Sequence, residues 1–348
     1  MKHKIINILY VLCFIVLFCI LFDKVSFILR KKTHSNDTIG TFYTLPKDSI
    51  DVVFLGSSHS FCSFSPMELW NEYGITSYNL SSGKQAIPCS YYLMKEAIRT
   101  QHPKVIVLET YTTNYSEEEI KSTPWMHQAV DGIPLNTTKL EFITEYLSEV
   151  LPPDQLSEFC FPIILYHSRW YNLNSTDITP RNTHFRGFSP RTQIKKQTIS
   201  EPVFEEKALY EENQLYLEKI VSLCKENNVE LLLCQTPMGV MSEKRNKKVR
   251  GRMRTVQNYA QEQGLTYINY EEILNEVGID YSTDFSDSSH LNILGATKAT
   301  HYIGSVLSSQ YNLTDHRNAP DYQYWNDDYK KYEKNVNKQI KKLVGKIK

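Results

Sequence analysis

A short run of large and β-branched apolar residues, Val52-Val-Phe-Leu55, is cut off by Gly56 and followed at once by Ser57, Ser58 and His59. A continuous apolar run of this length suits a strand covered on both faces, and such strands belong to parallel sheets packed between helices. Glycine lets the backbone turn where a side chain would collide. The two hydroxyls therefore follow the carboxyl end of a buried strand, at the edge of an open α/β sheet where ligands bind. Ser65, Pro66 and Glu68 supply the N-cap, first-position proline and first-turn acid of a helix that starts soon afterwards.

The pattern then repeats. Helices near residues 67–73 and 91–100 alternate with strands over 77–80 and 105–108, a βαβαβ series. It resumes with a helix over 208–227, a strand over 229–234, a helix over 249–263, a strand over 265–268 and a closing helix over 295–307. Right-handed crossovers place the carboxyl ends of the strands along one edge. Residues 115–200 break the rhythm with two helices, around 139–150 and 154–161, and read as an insertion over that edge.

A serine hydroxyl reacts only with a base in hydrogen-bond reach and a third group to orient the base. Asp287 and His290, three positions apart in Asp284-Phe-Ser-Asp-Ser-Ser-His290, can supply both. The carboxylate accepts from one ring nitrogen while the other takes the serine proton. The alternative is that His290 only caps the helix beginning near Asn292.

Gly56-Ser57-Ser58 and Asp287-Ser-Ser-His290 resemble the opening and closing blocks of the SGNH/GDSL hydrolase superfamily. Ser57 in place of aspartate, and the continuation His290-Leu-Asn-Ile-Leu-Gly-Ala296, look like its membrane-anchored, cell-envelope members. The resemblance spans about residues 51–307. It implies a three-layer α/β/α fold with a mainly parallel central sheet, flavodoxin-like, over residues 48–312. Ser58 would be the nucleophile, His290 the base and Asp287 its orienting acid, with no cofactor and no metal. Tyr78-Asn-Leu-Ser-Ser-Gly83 is similar to the block whose glycine offers a backbone N–H to the oxyanion, which points to Gly83, with Ser81 and Ser82 as neighbouring alternatives. The third block, Gly-x-Asn-Asp, is replaced by Glu109-Thr-Tyr-Thr-Thr-Asn114, so its side-chain donor is either displaced to Asn114 or missing.

What the resemblance implies is a serine esterase or O-acyltransferase acting on acyl, foremost acetyl, esters of a cell-surface polysaccharide. A multi-spanning membrane acyltransferase is the implied partner. A non-catalytic envelope binding or assembly protein that keeps the fold is the competing reading. His59 beside the serine, and His167 and Arg169 in Tyr166-His-Ser-Arg-Trp170, are candidates for substrate contact.

Residues 5–22 are apolar apart from Asn7 and Tyr10, with no charge before Asp23. Eighteen such residues are long enough to span a bilayer core and long for a signal-peptide core, and no small-x-small cleavage site follows. Residues 1–32 therefore read as a cytoplasmic tip and signal anchor, and 33–47 as a polar linker. Flanking Lys24, Arg30, Lys31 and Lys32 outnumber Lys2 and Lys4. Long domains translocate largely regardless of flanking charge, so the expectation is a single-pass cell-membrane protein with its domain outside. With 39 basic and 39 acidic residues the chain is formally neutral, which argues against a whole-chain nucleic-acid binder. The basic loop 243–254 is either a solvated face or a contact for anionic polymer or lipid head groups. Seven scattered cysteines give neither a metal motif nor a disulfide frame. Residues 313–348 form a polar, then Lys-rich, extension, with 330–348 read as a basic helix or a disordered tail.

Overall fold

The computed structural model describes residues 2–32, 37–179 and 183–345. Strands β1 (Val52–Leu55), β2 (Ser77–Asn79), β3 (Val105–Glu109), β4 (Glu230–Gln235) and β5 (Thr266–Asn269) form one sheet in the order β2-β1-β3-β4-β5. Every pairing is parallel. The α/β/α architecture with a parallel central sheet read from the sequence is the one found.

Alternation along the strands explains the layers. Val53, Leu55, Ile106, Leu108, Leu231 and Leu233 join one core with α5 (Ile87–Gln101) and the helix Glu211–Asn227. Val52, Phe54, Val105, Val107 and Leu232 join the other with α4 (Pro66–Tyr73) and the helix Ile293–Gln310. Each such side chain contributes roughly 1.5–3 kcal/mol when taken from water. With both faces covered, the strands tolerate no polar alternation. In this strand order the connections leaving β1 and β3 diverge, and the crevice between them is where ligands bind in such sheets.

Helix α1 (Lys2–Leu29) is long and apolar enough to cross a membrane, with mean hydropathy 3.0 over its most apolar window and none of that window buried.

Four boundaries differ from the sequence reading. The first helix after β1 does not wait for Ser65: α3 (Ser58–Ser63) starts at Ser58, because Ser57 caps it. Within the expected linker 33–47, whose residues 33–36 lie outside the described residues, α2 (Thr38–Phe42) buries Ile39 and Phe42 in the main core. The basic stretch 243–254 is no loop; it opens the helix Glu243–Glu262, and two of its cations are internal. Arg250 forms a two-pronged pair with Glu271, and Arg252 donates to the carbonyls of Ala208 and Asn114. The expected C-terminal extension, apart from 346–348 outside the described residues, carries the helix Gln323–Val344. There Trp325, Tyr332, Val336 and Leu343, spaced seven, four and seven apart, pack into the main core.

The insertion, whose residues 180–182 lie outside the described residues, divides in two. Its helices over 117–178 pack on α5 and α1. Residues 185–200 run beside the loop that carries His290, held by N–H donations from Ser189 to Phe61, Lys195 to Phe285 and Gln197 to Tyr281.

Candidate active site

β1 delivers the chain to Gly56, whose φ is +142°. A Cβ there would stand 2.9 Å from the Glu109 Cβ and 3.1 Å from its carbonyl oxygen, so β3 leaves no room for a side chain. The Ser57 hydroxyl then accepts the His59 N–H at 3.3 Å. Ser58 takes the first helical position, where a backbone N–H has no intrahelical acceptor. α3 is fixed from two sides. Asn79 Nδ2 donates to the carbonyls of Ser60 and Phe64, and the Thr300 hydroxyl donates to that of Ser63.

Asp287 and His290 sit on a loop closed by an antiparallel bridge between Phe285 and Leu291. Asp287 Oδ1 accepts the N–H groups of Ser289 (2.8 Å) and His290 (3.0 Å). The His290 Nδ1 lies 2.9 Å from both Asp287 oxygens, and its Nε2 lies 2.7 Å from Ser58 Oγ. The tautomer that donates Nδ1–H to the carboxylate leaves the Nε2 lone pair facing the serine hydroxyl, which donates. Burial acts to raise the Asp287 carboxyl. The hydrogen bond from the His290 ring, the Ser289 N–H and the charge of His290 together outweigh burial and hold it well below the usual carboxylate range. The site is open: His290 is 19% exposed and Asp287 44%.

The remaining predicted residues are placed less simply. His59 is buried rather than presented to a substrate. Its ring stacks on Tyr111 at 4.0 Å, approaches the His290 ring at 5.2 Å and sets Nδ1 3.3 Å from the Thr236 hydroxyl. Burial, followed by the charge of His290, lowers its basicity well below that of a free imidazole. Asn114 is no oxyanion donor, because it is buried at the end of the 3-10 helix Thr110–Asn114 and turns its amide back to the Tyr111 carbonyl at 3.2 Å. Gly83 lies on the turn after β2, against the side chains of Gln128 and Trp125. Ser81 donates to the Ser60 hydroxyl of α3, and Ser82 donates to Gln85. His167 and Arg169 are not with the serine. They lie on a 3-10 helix packed against α1, where Arg169 pairs with Asp177 at 2.8 Å and donates to the Leu29 carbonyl, while His167 bonds the Ile164 carbonyl.

Three residues near the serine escaped the sequence reading. Glu109, fully buried at the end of β3, accepts the Tyr111 N–H at 2.9 Å and lies 3.4 Å from the Ser57 hydroxyl. Burial pushes its carboxyl up to about 8 despite those bonds. The signal was a charged residue ending an otherwise apolar strand. Arg191, on the strap beside the His290 loop, directs Nε to Cys62 Sγ at 3.3 Å, one helical turn from Ser58. Arg245 reaches the Tyr111 hydroxyl at 3.4 Å from the other side. Among the described residues neither arginine has a carboxylate within ion-pair distance, and no group of three or more His, Cys, Asp or Glu side chains is arranged to hold a metal. A cavity of about 310 Å³ opens at the carboxyl ends of β4 and β5, lined by Gln235, Asn269 and the Arg250–Glu271 pair, and contains no member of the Ser58 cluster.

No family model matches the chain, and no curated protein matches it. Among solved structures it is similar to that of a Desulfitobacterium hafniense DCB-2 protein described as lipolytic and of the G-D-S-L family. The two share 12% identity at a TM-score of 0.38, over 74% of this chain and 98% of that one.

Proposed function

We propose that the chain is a membrane-anchored serine esterase or O-acyltransferase of the SGNH/GDSL type, acting on acyl, foremost acetyl, esters of a cell-surface polysaccharide. The observation that carries the reading is the continuous path from Asp287 through His290 to Ser58, with 2.9 Å and 2.7 Å at its two joints. In this reading Ser58 Oγ attacks the ester carbonyl as its proton passes to Nε2, and Asp287 stabilises the imidazolium. The backbone N–H groups of Ser58 and Gly83 are assigned to the oxyanion, since Asn114 turns away. His290 then gives its proton to the leaving alcohol, and an acyl-serine remains. Water completes an esterase cycle and a sugar hydroxyl completes a transferase cycle. The exposed triad suits a polymer carrying its ester along the surface. Export of the domain and delivery of the acyl group by a multi-spanning membrane acyltransferase belong to the same proposal.

The test is fluorophosphonate labelling of the full-length chain in detergent, alongside Ser58→Ala and His290→Ala. Labelling of the wild type that disappears in both variants supports the reading. A folded wild type that does not label returns the chain to the class of non-catalytic envelope binding proteins.

A further inference from the structure

Residues 161–178 present an apolar surface that the rest of the domain leaves uncovered. Ile164 is 43% exposed, Ile178 60%, Trp170 70% and Tyr171 65%. Single exposed apolar residues need no explanation, but contiguous ones mark a contact surface. They lie on three short helices, Ile163–Tyr166, His167–Asn172 and Ser175–Ile178, all packed against α1.

The position along α1 sets the depth of this surface. Phe161 meets Phe22 edge-on at 6.0 Å. Phe22 is the last residue of the apolar run, and Asp23 and Lys24 follow it. The run of 18 residues rises roughly 27 Å at 1.5 Å per residue, close to the thickness of a hydrocarbon core, so Phe22 stands at one boundary of any bilayer that α1 spans. The surface beside Phe161 therefore stands at that boundary too. Between residues 161 and 173 Arg169 is the one Lys, Arg, Asp or Glu. Its guanidinium is taken up by Asp177 and the Leu29 carbonyl. What remains outward is Phe161, Ile164, Leu165 and Ile178 with a tryptophan and a tyrosine, the amphipathic rings that concentrate at the headgroup level, interspersed with His167 and small uncharged polar side chains such as Ser168, Asn172 and Asn174.

We propose that residues 161–178 form an interfacial platform that lies in the leaflet next to the domain, beside α1, with lipid as its occupant. The proposal rests on the reading of α1 as a membrane span. It gives the domain two attachments to the bilayer, so that the chain's orientation over the surface is held by the platform as well as by the anchor.

The test uses the full-length chain in phosphatidylcholine vesicles with and without brominated acyl chains, read by tryptophan fluorescence. Of the four tryptophans, Trp70 and Trp325 are buried in the core, and Trp125 packs by Gly83. Bromolipid is expected to quench the wild type, and Trp170→Phe, a change at an exposed position, is expected to lose that quenching. A fluorophore on Cys13 and Cys19 of α1, in a Cys160→Ser background, reports insertion of the anchor separately. Anchor quenching with tryptophan emission untouched, or with Trp170→Phe quenched as the wild type is, overturns the platform and leaves the span standing. An anchor fluorophore that bromolipid does not quench overturns the span and the platform with it.

Discussion

The Nε2 of His290 stands 2.7 Å from the Oγ of Ser58 although 232 positions separate them. Two helices bring them together. α3 begins at Ser58, the helix Ile293–Gln310 begins just after His290, and the two pack on each other, tied by the Thr300 hydroxyl to the Ser63 carbonyl at 3.1 Å. The joint between Ser58 and His290 is thus a by-product of the layer that covers one face of the sheet.

Asp287→Asn should keep the loop and lose the chemistry. An amide cannot accept from Nδ1 with both of its atoms, and the imidazole is free to adopt the wrong tautomer. The expected effect is a fall in kcat of about 10⁴-fold with KM little changed, as removal of the orienting charge does in serine triads. Steady-state hydrolysis of a p-nitrophenyl ester reads it, and a variant within tenfold of wild type would contradict the assigned role.

Gly56→Ala tests the turn rather than the triad. At φ +142° a side chain is strained, and this one would press on Glu109 of β3. A cost of about 1–3 kcal/mol in stability is expected. Displacing Ser58 by the same movement should slow fluorophosphonate labelling on the order of 100-fold. Thermal unfolding and labelling rate, measured on one preparation, separate the two effects.

Glu109 should make stability depend on pH. Its folded carboxyl titrates at about 8, above its ordinary value near 4.5. The native state therefore holds the proton more tightly than the unfolded chain does. The stability tied to this group is complete below the unfolded value and is lost as pH rises through the folded one. Glu109→Gln removes the ionisation, so relative to wild type it should gain on the order of a few kcal/mol between pH 5 and pH 8. Denaturant midpoints of the two proteins that stay parallel across that window would show that the carboxyl is not held protonated.

Trp325→Ala should behave as a core mutation although it lies near the end of the chain. The indole stacks on Trp70 at 5.3 Å and carries the Arg186 guanidinium over its ring at 4.5 Å. A loss of about 3–5 kcal/mol is expected from the cavity alone. Chemical denaturation checks it, and a change below 1 kcal/mol would mean that the C-terminal helix is an appendage.

Local pattern made much of this protein readable in advance. Val52-Val-Phe-Leu55 and residues 105–108 read as doubly covered strands because burial on both faces removes alternation, and that signal lies within four residues. Asp287 and His290 were legible for the same reason: three positions apart, they can meet whatever the rest of the chain does. The C-terminal helix was written at helical spacing, but its Tyr, Asp and Lys content hid the stripe of Trp325, Tyr332, Val336 and Leu343.

What the sequence alone determined is the parallel sheet, the glycine turn, the serine after it and the Asp-x-x-His loop, since each depends on steric rules and spacings internal to a short segment. Only the tertiary structure decided where Asn114, His59 and Arg169 belong. Asn114 folds back on its own turn, His59 sinks beneath His290, and Arg169 is drawn to the end of α1 by Asp177 and the Leu29 carbonyl. The physical reason is that a polar side chain answers to whichever donors, acceptors and charges the packed fold brings within about 3 Å, and those partners come from segments far apart in the chain.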